Sequence, residues 1–236
     1  MTKTKHMSRL AAPKTWPIKR KGAKWITAPT PGAHTRELSM PLAVCLRELI
    51  QIAETTKDIK KLLNAKEIIV NGRTIKDVKC QVGLFDVISI PKIGKNYRLV
   101  MNLIGKLNFI EISNEEAKFI IAKVIGKTTL KKAKSQLNLS NGWNILSNEK
   151  YGVGDVLFVD VKTRKPIKHF AFANGKLAYI VGGKHPGVFA KIKETKEIGE
   201  LKKRKIAVMK NEGETWETDA NQLFVIGDKE AEIKLQ

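Results

Sequence analysis

Apolar positions recur at helical spacing in one part of this chain and alternate with polar ones in most of the rest. Leu42, Leu46, Leu49 and Ala53, with Cys45 and Ile50 beside them, form a stripe with period 3.6 that begins after Pro41, a residue suited to a first helical turn. The stripe predicts a helix over about 41–54. A second helix is expected over about 57–65, with Thr56 as N-cap and Asp58 in its first turn. Ile59, Leu62 and Leu63 fall on one face of it. Lys57, Lys60, Lys61 and Asn64 fall on another. Beyond that point the period shortens. Glu67–Val70 reads as a short strand, Asn71-Gly72 as a tight turn, Arg73–Val78 as extended chain, and Gly83-Leu84-Phe85-Asp86 as a turn into the strand Val87–Ile90.

Residues 103–172 read as mainly β with one short helix. Ser113 would cap that helix, Glu115 and Glu116 would lie in its first turn, and Ala117, Phe119 and Ile120 would follow. Strands are expected over Val156–Val161 and Ile167–Phe172, joined by the basic tip Lys162-Thr163-Arg164-Lys165. Leu177, Tyr179 and Val181 then alternate into Gly182-Gly183, and Val188, Ala190 and Ile192 alternate out of a loop carrying Lys184, His185 and Gly187. Glycines in such a loop accept positive φ and allow close backbone approach, and exposed amides there can cradle an anion. Further strands are expected over Lys205–Met209, Gly213–Thr218 and Gln222–Ile226.

Charge changes the picture. The 236 residues hold 44 Lys and Arg against 23 Asp and Glu, a formal net charge of +21. So cationic a surface calls for a polyanion; nucleic acid fits best, and an anionic membrane comes second. The excess is uneven. Residues 1–40 carry Lys3, Lys5, Arg9, Lys14, Lys19, Arg20, Lys21 and Lys24 among Pro13, Pro17, Pro29 and Pro31, with no acid before Glu37. This arm is expected to be mostly disordered alone and to become ordered on RNA. Its cations would neutralise phosphates, while Trp16 and Trp25 would stack on bases or pack into a neighbouring surface. Lys127, Lys131, Lys132 and Lys134 mark another cationic segment. The C-terminal stretch inverts the sign with Glu212, Glu214, Glu217, Asp219, Asp228, Glu230 and Glu232.

The same residues argue against several chemistries. No apolar run approaches the roughly 20 residues of a membrane span, and the basic N-terminus lacks the apolar core of a secretory signal, so a soluble intracellular protein is expected. Cys45 and Cys80 form no CxxC pair and read as small hydrophobes in a reducing compartment. His6, His34, His169 and His185 have no paired ligand spacing, and no metal or cofactor is expected. Gly126-Lys127-Thr128 resembles the end of a phosphate-binding loop, but Ile121 stands where that loop needs its first glycine. Asp155 in its Gly-Asp turn reads as a backbone cap and Asp160 as a strand residue, not as a carboxylate pair.

Two modules resemble known families. The Gly175–Ile192 hairpin looks like a KOW motif, the RNA-binding hairpin of small SH3-like barrels, with Gly183, Lys184, His185 and Gly187 as its contact loop. It departs from the usual pattern at Ala190, where a second glycine is common, and at Val188, where Arg or Lys is common. Residues 41–102 resemble the S4-type RNA-binding domain. In that family the second helix and the loop ahead of the Val-Asn-Gly strand face RNA, which implies roles here for Lys57, Lys60, Lys61, Lys66, Asn71 and Arg73, extended by Lys92, Lys95 and Arg98.

The order of features is similar to that of the S-four-e family of small-subunit ribosomal proteins, shared by archaea and eukaryotes. The resemblance rests on His6–Trp16 with its Ala-Ala-Pro-Lys-x-Trp segment, Ser39–Leu42 leading to Leu46-Arg47, Val82–Ile90 followed by Asn96–Leu99, Glu115–Lys118, and Val181–Gly183. It implies an α+β multi-module fold: a basic arm over 1–40, an α/β S4-type RNA-binding domain over 41–102, a β-rich central domain over 103–172, and an SH3-like β-barrel with a KOW motif over 173–236. It implies a non-enzymatic, cytoplasmic constituent of the small ribosomal subunit. Its partners would be small-subunit rRNA and neighbouring ribosomal proteins, with no membrane and no small-molecule substrate. The longer C-terminal extension of eukaryotic members is missing, which points to archaea. Two other readings share the modules: an S4-bearing RNA-modifying enzyme of the pseudouridine-synthase type, and a KOW transcription factor.

Overall fold

Among the described residues, helix longer than a single 3-10 turn is confined to two short segments, and most of the remaining regular structure is strand. The computed structural model describes residues 6–130, 135–147, 149–199, 204–211, 214–228, 232–233 and 235. The expectations placed on Lys3, Lys5, Lys131, Lys132, Lys134, Glu212 and Glu230 lie outside the described residues. The chain forms two compact units, Met1–Val100 with Lys106–Ile120, and Met101–Gly105 with Ile121–Gln236.

In the first unit, β1 (His6–Ser8) pairs antiparallel with β2 (Trp25–Thr27), bringing buried Met7 opposite buried Ile26. Strand β3 (Ser39–Pro41) leads into α1 (Leu42–Val44), whose axis continues through Cys45–Leu49 with wider i→i+5 bonding, Ile50 N donating to Cys45 O at 3.0 Å. The expected helix over 41–54 therefore stops near residue 50; Gln51 takes a positive φ of 58° and turns the chain away. Helix α2 (Thr56–Asn64) lies close to its expected place. The cap is Thr55 rather than Thr56: its hydroxyl accepts from Asp58 N at 3.2 Å. Ile59 and Leu63, one turn apart, are its buried pair.

Next come β4 (Ile69–Val70), β5 (Arg73–Thr74), β6 (Gln81–Gly83), β7 (Val87–Ile90), β8 (Lys95–Met101) and β9 (Leu107–Ile112). Five of these make one sheet in the order β5-β4-β7-β8-β9, and β6 pairs with β3. Asn71 and Gly72 have φ of 49° and 73°, two successive left-handed residues that let β4 fold straight back into β5. Leu42, Leu46, Ile59, Leu63, Ile68, Phe85, Ile88 and Leu99 form the core of this unit.

The described part of the arm makes specific contacts within the unit. The Thr15 carbonyl accepts from Leu107 N at 2.8 Å, and the Thr15 hydroxyl donates to Glu37 O at 2.6 Å. Thr30 bonds Lys79 O through both its amide and its hydroxyl, each at 3.0 Å. Backbone and side-chain donors of the arm thus find acceptors within the unit, which compensates for its low apolar content.

The second unit contains two antiparallel-rich sheets. Strands β10 (Phe119–Thr129), β11 (Ser135–Leu139), β12 (Asn144–Ser147), β13 (Val156–Asp160) and β14 (Pro166–Phe170) are arranged β12-β11-β10-β13-β14. Ala122, Val124, Leu137, Leu139, Ile145, Tyr151, Leu157 and Val159 fill the core beneath them, with Trp143 packed on it. The expected helix through Ile120 reduces to one 3-10 turn, Glu116–Lys118, because Phe119 and the β-branched residues after it start β10. Gly126-Lys127-Thr128 sits inside that strand, paired with Asn138, Leu137 and Gln136. The other sheet, in the order β18-β17-β16-β15-β19, is made of β15 (Leu177–Ile180), β16 (Phe189–Ile198), β17 (Arg204–Asn211), β18 (Glu214–Asp219) and β19 (Leu223–Gly227).

Candidate nucleic-acid interface

The arm displays its cations from a pinned loop. Arg9, itself buried, donates from Nη1 to Lys19 O at 2.9 Å and from Nε to Ala23 O at 3.0 Å. Arg20 Nη1 donates to Leu10 O at 3.2 Å. The loop so held leaves Lys14, Lys19, Arg20, Lys21 and Lys24 exposed. Trp25 is 55% exposed, with Lys24 Nζ 5.1 Å from its ring centroid.

Trp16 corrects the expectation. Its ring is only 2% exposed, and its indole N–H donates to Arg36 O at 3.2 Å. An indole enclosed in this way packs the arm against the unit and presents no face to a base. Of the two readings held open for the arm's tryptophans, Trp16 takes the packing one.

Helix α2 places Lys57, Lys60 and Lys61 on exposed positions, away from buried Ile59 and Leu63. Lys61 lies 3.9 Å from Asp58, a weak exposed pair. The Thr55 hydroxyl, with smaller pulls from Lys61 and Lys57, holds the Asp58 carboxyl below the usual carboxylate range. Lys66, just past the helix in a left-handed conformation (φ 57°), and Arg73, in β5, are also exposed. Lys92 and Lys95 are exposed but meet carboxylates, Glu67 at 3.0 Å and Glu111 at 3.1 Å.

Two other expected contacts of this unit turn inward. Asn71 donates from Nδ2 to Asp86 Oδ1 at 2.7 Å and accepts from Val87 N at 2.9 Å, so both ends of its amide tie the turn to β7. Arg98 is 0% exposed; Nη1 meets Glu116 Oε2 at 3.2 Å and Nη2 donates to Glu116 O at 2.9 Å. Its guanidinium lies 5.3 Å from the Phe119 ring centroid. Burial pulls its pKa down to about 10 against the opposing charge of Glu116. Arg98 is enclosed away from solvent, and the Asn71 amide is engaged at both ends by Asp86 and Val87.

The KOW-like loop also divides. Gly183 (φ 90°) and Lys184 are exposed, while His185 lies against Trp216 with ring centroids 4.6 Å apart. Gly187 is buried (φ 77°), and a Cβ there would come within 2.6 Å of the Asn102 carbonyl carbon. Its glycine serves a close approach of two backbones, not a ligand. Asp155 and Asp160 are spent on their own turns. Asp155 accepts from Gly152 N at 2.7 Å and Phe172 N at 3.0 Å, and its Oδ2 meets His169 Nε2 at 2.7 Å. Among the described residues no group of His, Cys, Asp or Glu is placed to hold a metal, and no helix is long and apolar enough to cross a membrane.

Comparison with known proteins decides the family. The model described as Ribosomal family S4e matches residues 93–166, and the RS4NT domain matches residues 1–37. The chain is 40% identical over 222 residues to the small ribosomal subunit protein eS4 of Methanocella arvoryzae, covering 94% of each chain. It is 37% identical to the protein of that name from Methanosphaera stadtmanae, over 100% of this chain and 97% of the other. The chain belongs to the S4e family. The crystal structure of 30S ribosomal protein S4e from Thermoplasma acidophilum superposes with a TM-score of 0.69 at 26% identity, covering 81% of this chain and 96% of that one.

Two structural cations of this S4e chain escaped the sequence reading. Arg9 looked like one more charge in a basic arm and is instead the staple of the loop. Lys123, in β10, is only 7% exposed, and its Nζ donates to Ala220 O at 2.6 Å, Leu223 O at 2.9 Å and Asn221 O at 3.2 Å. Burial lowers its pKa to about 8, with Asp219 pulling the other way, so it stays an ammonium at neutral pH. A signal for Lys123 exists in the sequence. A lone cation in Phe119-Ile120-Ile121-Ala122-Lys123-Val124 interrupts a run that must be buried on both faces, and a buried charge needs partners.

Proposed function

We propose that the chain grips small-subunit rRNA by its sugar-phosphate backbone, through exposed cations held on rigid elements, with little reading of base sequence. The reading builds on membership of the S4e family, whose members are structural constituents of the small ribosomal subunit and not enzymes. That membership supports a place in the cytoplasmic ribosome, with rRNA and neighbouring ribosomal proteins as partners. We infer further that residues 41–102 act as an S4-type RNA-binding module, 103–172 as a central β module, and 173–236 as an SH3-like barrel with a KOW loop.

The observation that carries the reading is the lysine face of α2. Lys57, Lys60 and Lys61 project from a nine-residue helix whose opposite side is locked by Ile59 and Leu63, and Lys66 follows directly. Cations on a fixed helix lose little freedom on meeting phosphate, and each phosphate neutralised releases condensed counterions. Lys14, Lys19, Arg20, Lys21 and Lys24 with Trp25 in the arm, Arg73 in β5, Lys92 and Lys95 near the β7–β8 turn, and Gly183, Lys184 and His185 in the KOW-like loop complete the proposed contacts. The carboxylates beside Lys92 and Lys95 form only exposed pairs, which phosphate can replace at small cost.

A titration of the purified chain against a small-subunit rRNA transcript at several salt concentrations tests the proposal. The logarithm of the binding constant should fall linearly with log salt, at roughly 0.7 to 0.9 per contacted phosphate. About ten contacts would remove most of the affinity between low and moderate salt. Salt-independent binding, or none in dilute buffer, would overturn it.

A further inference from the structure

The turn between β13 and β14 concentrates Lys162, Arg164 and Lys165 within four residues, all exposed. Asp160 builds it. Its carboxylate accepts from Lys162 N at 3.0 Å and from the Thr163 hydroxyl at 2.7 Å. Its backbone N–H donates to Lys165 O at 3.0 Å, and its carbonyl accepts from Arg164 N at 2.9 Å. Asp160 is thus committed to shaping the turn; the Thr163 hydroxyl, with a small pull from Lys162, holds its carboxyl below the usual carboxylate range. No described carboxylate forms a salt bridge with Lys162, Arg164 or Lys165.

Arg164 adopts a left-handed conformation, φ 55°. A non-glycine side chain is disfavoured there, so the surrounding bonds must impose the conformation. It aims the guanidinium at Trp143, whose ring centroid lies 5.3 Å from Cζ. Trp143 is itself held, because it packs on the core of the first sheet of the second unit and its backbone N–H donates to Asn141 Oδ1 at 3.1 Å. A cation over an indole is held by the ring's π face and spends no N–H donor on it. The N–H donors lie in the plane of the group and remain able to meet an oxyanion in pairs. Contact with the indole restricts part of the freedom that a fully solvated surface arginine would lose on binding.

We propose that the Trp143-supported turn Lys162–Lys165 is a phosphate-binding contact for the rRNA backbone, with Arg164 as its bidentate anchor. It lies in a part of the chain to which no RNA contact was otherwise assigned, and it rests on the reading of the chain as an rRNA binder. RNA is favoured over an acidic protein segment because the site offers a planar fork flanked by two flexible point charges, a set suited to successive phosphates rather than to a fixed carboxylate pair.

The test uses the full chain with a small-subunit rRNA transcript. Lysine reactivity toward an amine-acetylating reagent is read residue by residue, free and bound. Lys162 and Lys165 should be protected about fivefold or more, along with Lys57 and Lys60, and the protection should vanish in high salt. Arg164→Gly relieves the left-handed backbone, so folding is retained and circular dichroism verifies it. That variant should bind roughly three- to tenfold more weakly near 0.1 M salt, with a salt slope shallower by about 1. Arg164→Lys should restore the slope. If Lys57 and Lys60 are protected while Lys162 and Lys165 react as in the free chain and Arg164→Gly binds normally, the turn is not a contact and only the broader reading survives. If Lys162 and Lys165 are protected in assembled subunits but not on naked rRNA, their partner is a protein and the proposal fails. If no lysine is protected, both readings fall.

Discussion

Helix α2 and strand β8 carry cations of the same formal charge and use them in opposite ways. On α2 the lysines stand off an apolar pair and face solvent, where their charge costs the fold little. On β8, Arg98 is enclosed with Glu116 and the Phe119 ring, and its charge is consumed in holding β8 to the 116–119 turn. Lys123 in β10 repeats the second pattern with three carbonyls in place of a carboxylate. A net charge of +21 therefore overstates the charge that RNA can meet. The buried cations serve stability, and the exposed ones are the candidates for binding.

The sharpest way to break this contrast is to remove a buried cation and read both properties. Arg98→Ala leaves the Glu116 carboxylate without its partner and empties a filled volume. Breaking such a pair typically costs about 3–5 kcal/mol. Urea unfolding should show a loss of that order, while affinity for rRNA per folded molecule changes by less than about twofold. A small stability loss with a tenfold drop in binding would place Arg98 at the interface after all.

Lys123→Met comes next. It keeps the length of the side chain but leaves three carbonyls without their donor, at a cost of about 1–3 kcal/mol. The pH dependence adds a second readout. The folded pKa of about 8 lies below the ordinary 10.5, so above pH 8 the folded state sheds this proton before the unfolded state does. The unfolded state then binds more protons, and stability from this site rises between about pH 8 and 10.5. Wild type should gain on Lys123→Met across that window. A constant difference in denaturation free energy would contradict the burial argument.

How much of this was legible in the sequence depends on how local the cause is. The faces of α2 follow from spacing alone, and only the cap was misplaced, because Thr55 and Thr56 both offer a hydroxyl. The Asn71-Gly72 turn was equally plain, since its left-handed pair is a property of two residues. Trp16 was harder: nothing within its own segment says that the Arg36 carbonyl will take its N–H. Arg98 was misassigned for the same reason. In β8, Asn96, Arg98, Leu99, Val100 and Met101 are all buried, so the alternation that normally tells inside from outside is lost. The arm's order depends on the distant acceptors Glu37 and Lys79 and the distant donor Leu107, which no local pattern reveals. Phe85 is a further case, a bulky residue at φ 65°, buried in the turn that joins β6 to β7.

The exposed side of the contrast gives a smaller effect in energy. Lys60→Glu with Lys61→Glu should leave the melting temperature within a few degrees, since both side chains are solvated. Binding to rRNA at low salt should weaken at least about tenfold, equivalent to about 1.4 kcal/mol, and the salt slope should become shallower by about 2. Loss of helical signal in the double variant would mean that this face is packed rather than open. Unchanged affinity in a folded variant would remove α2 from the interface.

The smallest effect concerns how the arm is fastened. His34 Nε2 lies 3.3 Å from Asp86 Oδ2, a carboxylate that also accepts from Gly83 N at 2.7 Å and from Asn71 Nδ2 through its other oxygen. Burial alone would lower the His34 pKa, but the hydrogen bond and charge of Asp86 outweigh it, and the net shift is upward from 6.5. The folded state therefore holds this proton to higher pH than the unfolded state does. Its stabilising contribution is complete below pH 6.5 and is lost as pH rises through the folded value. Unfolding free energies measured in steps from pH 5.5 to 7.5, below the Lys123 window, should carry a declining contribution from this site in wild type that is absent in His34→Gln, which keeps a donor but cannot titrate. A wild-type profile that rises with pH, or one that His34→Gln leaves unaltered, would show that the arm is held by its neutral hydrogen bonds alone, and that the pair at Asp86 adds no charge to the fastening.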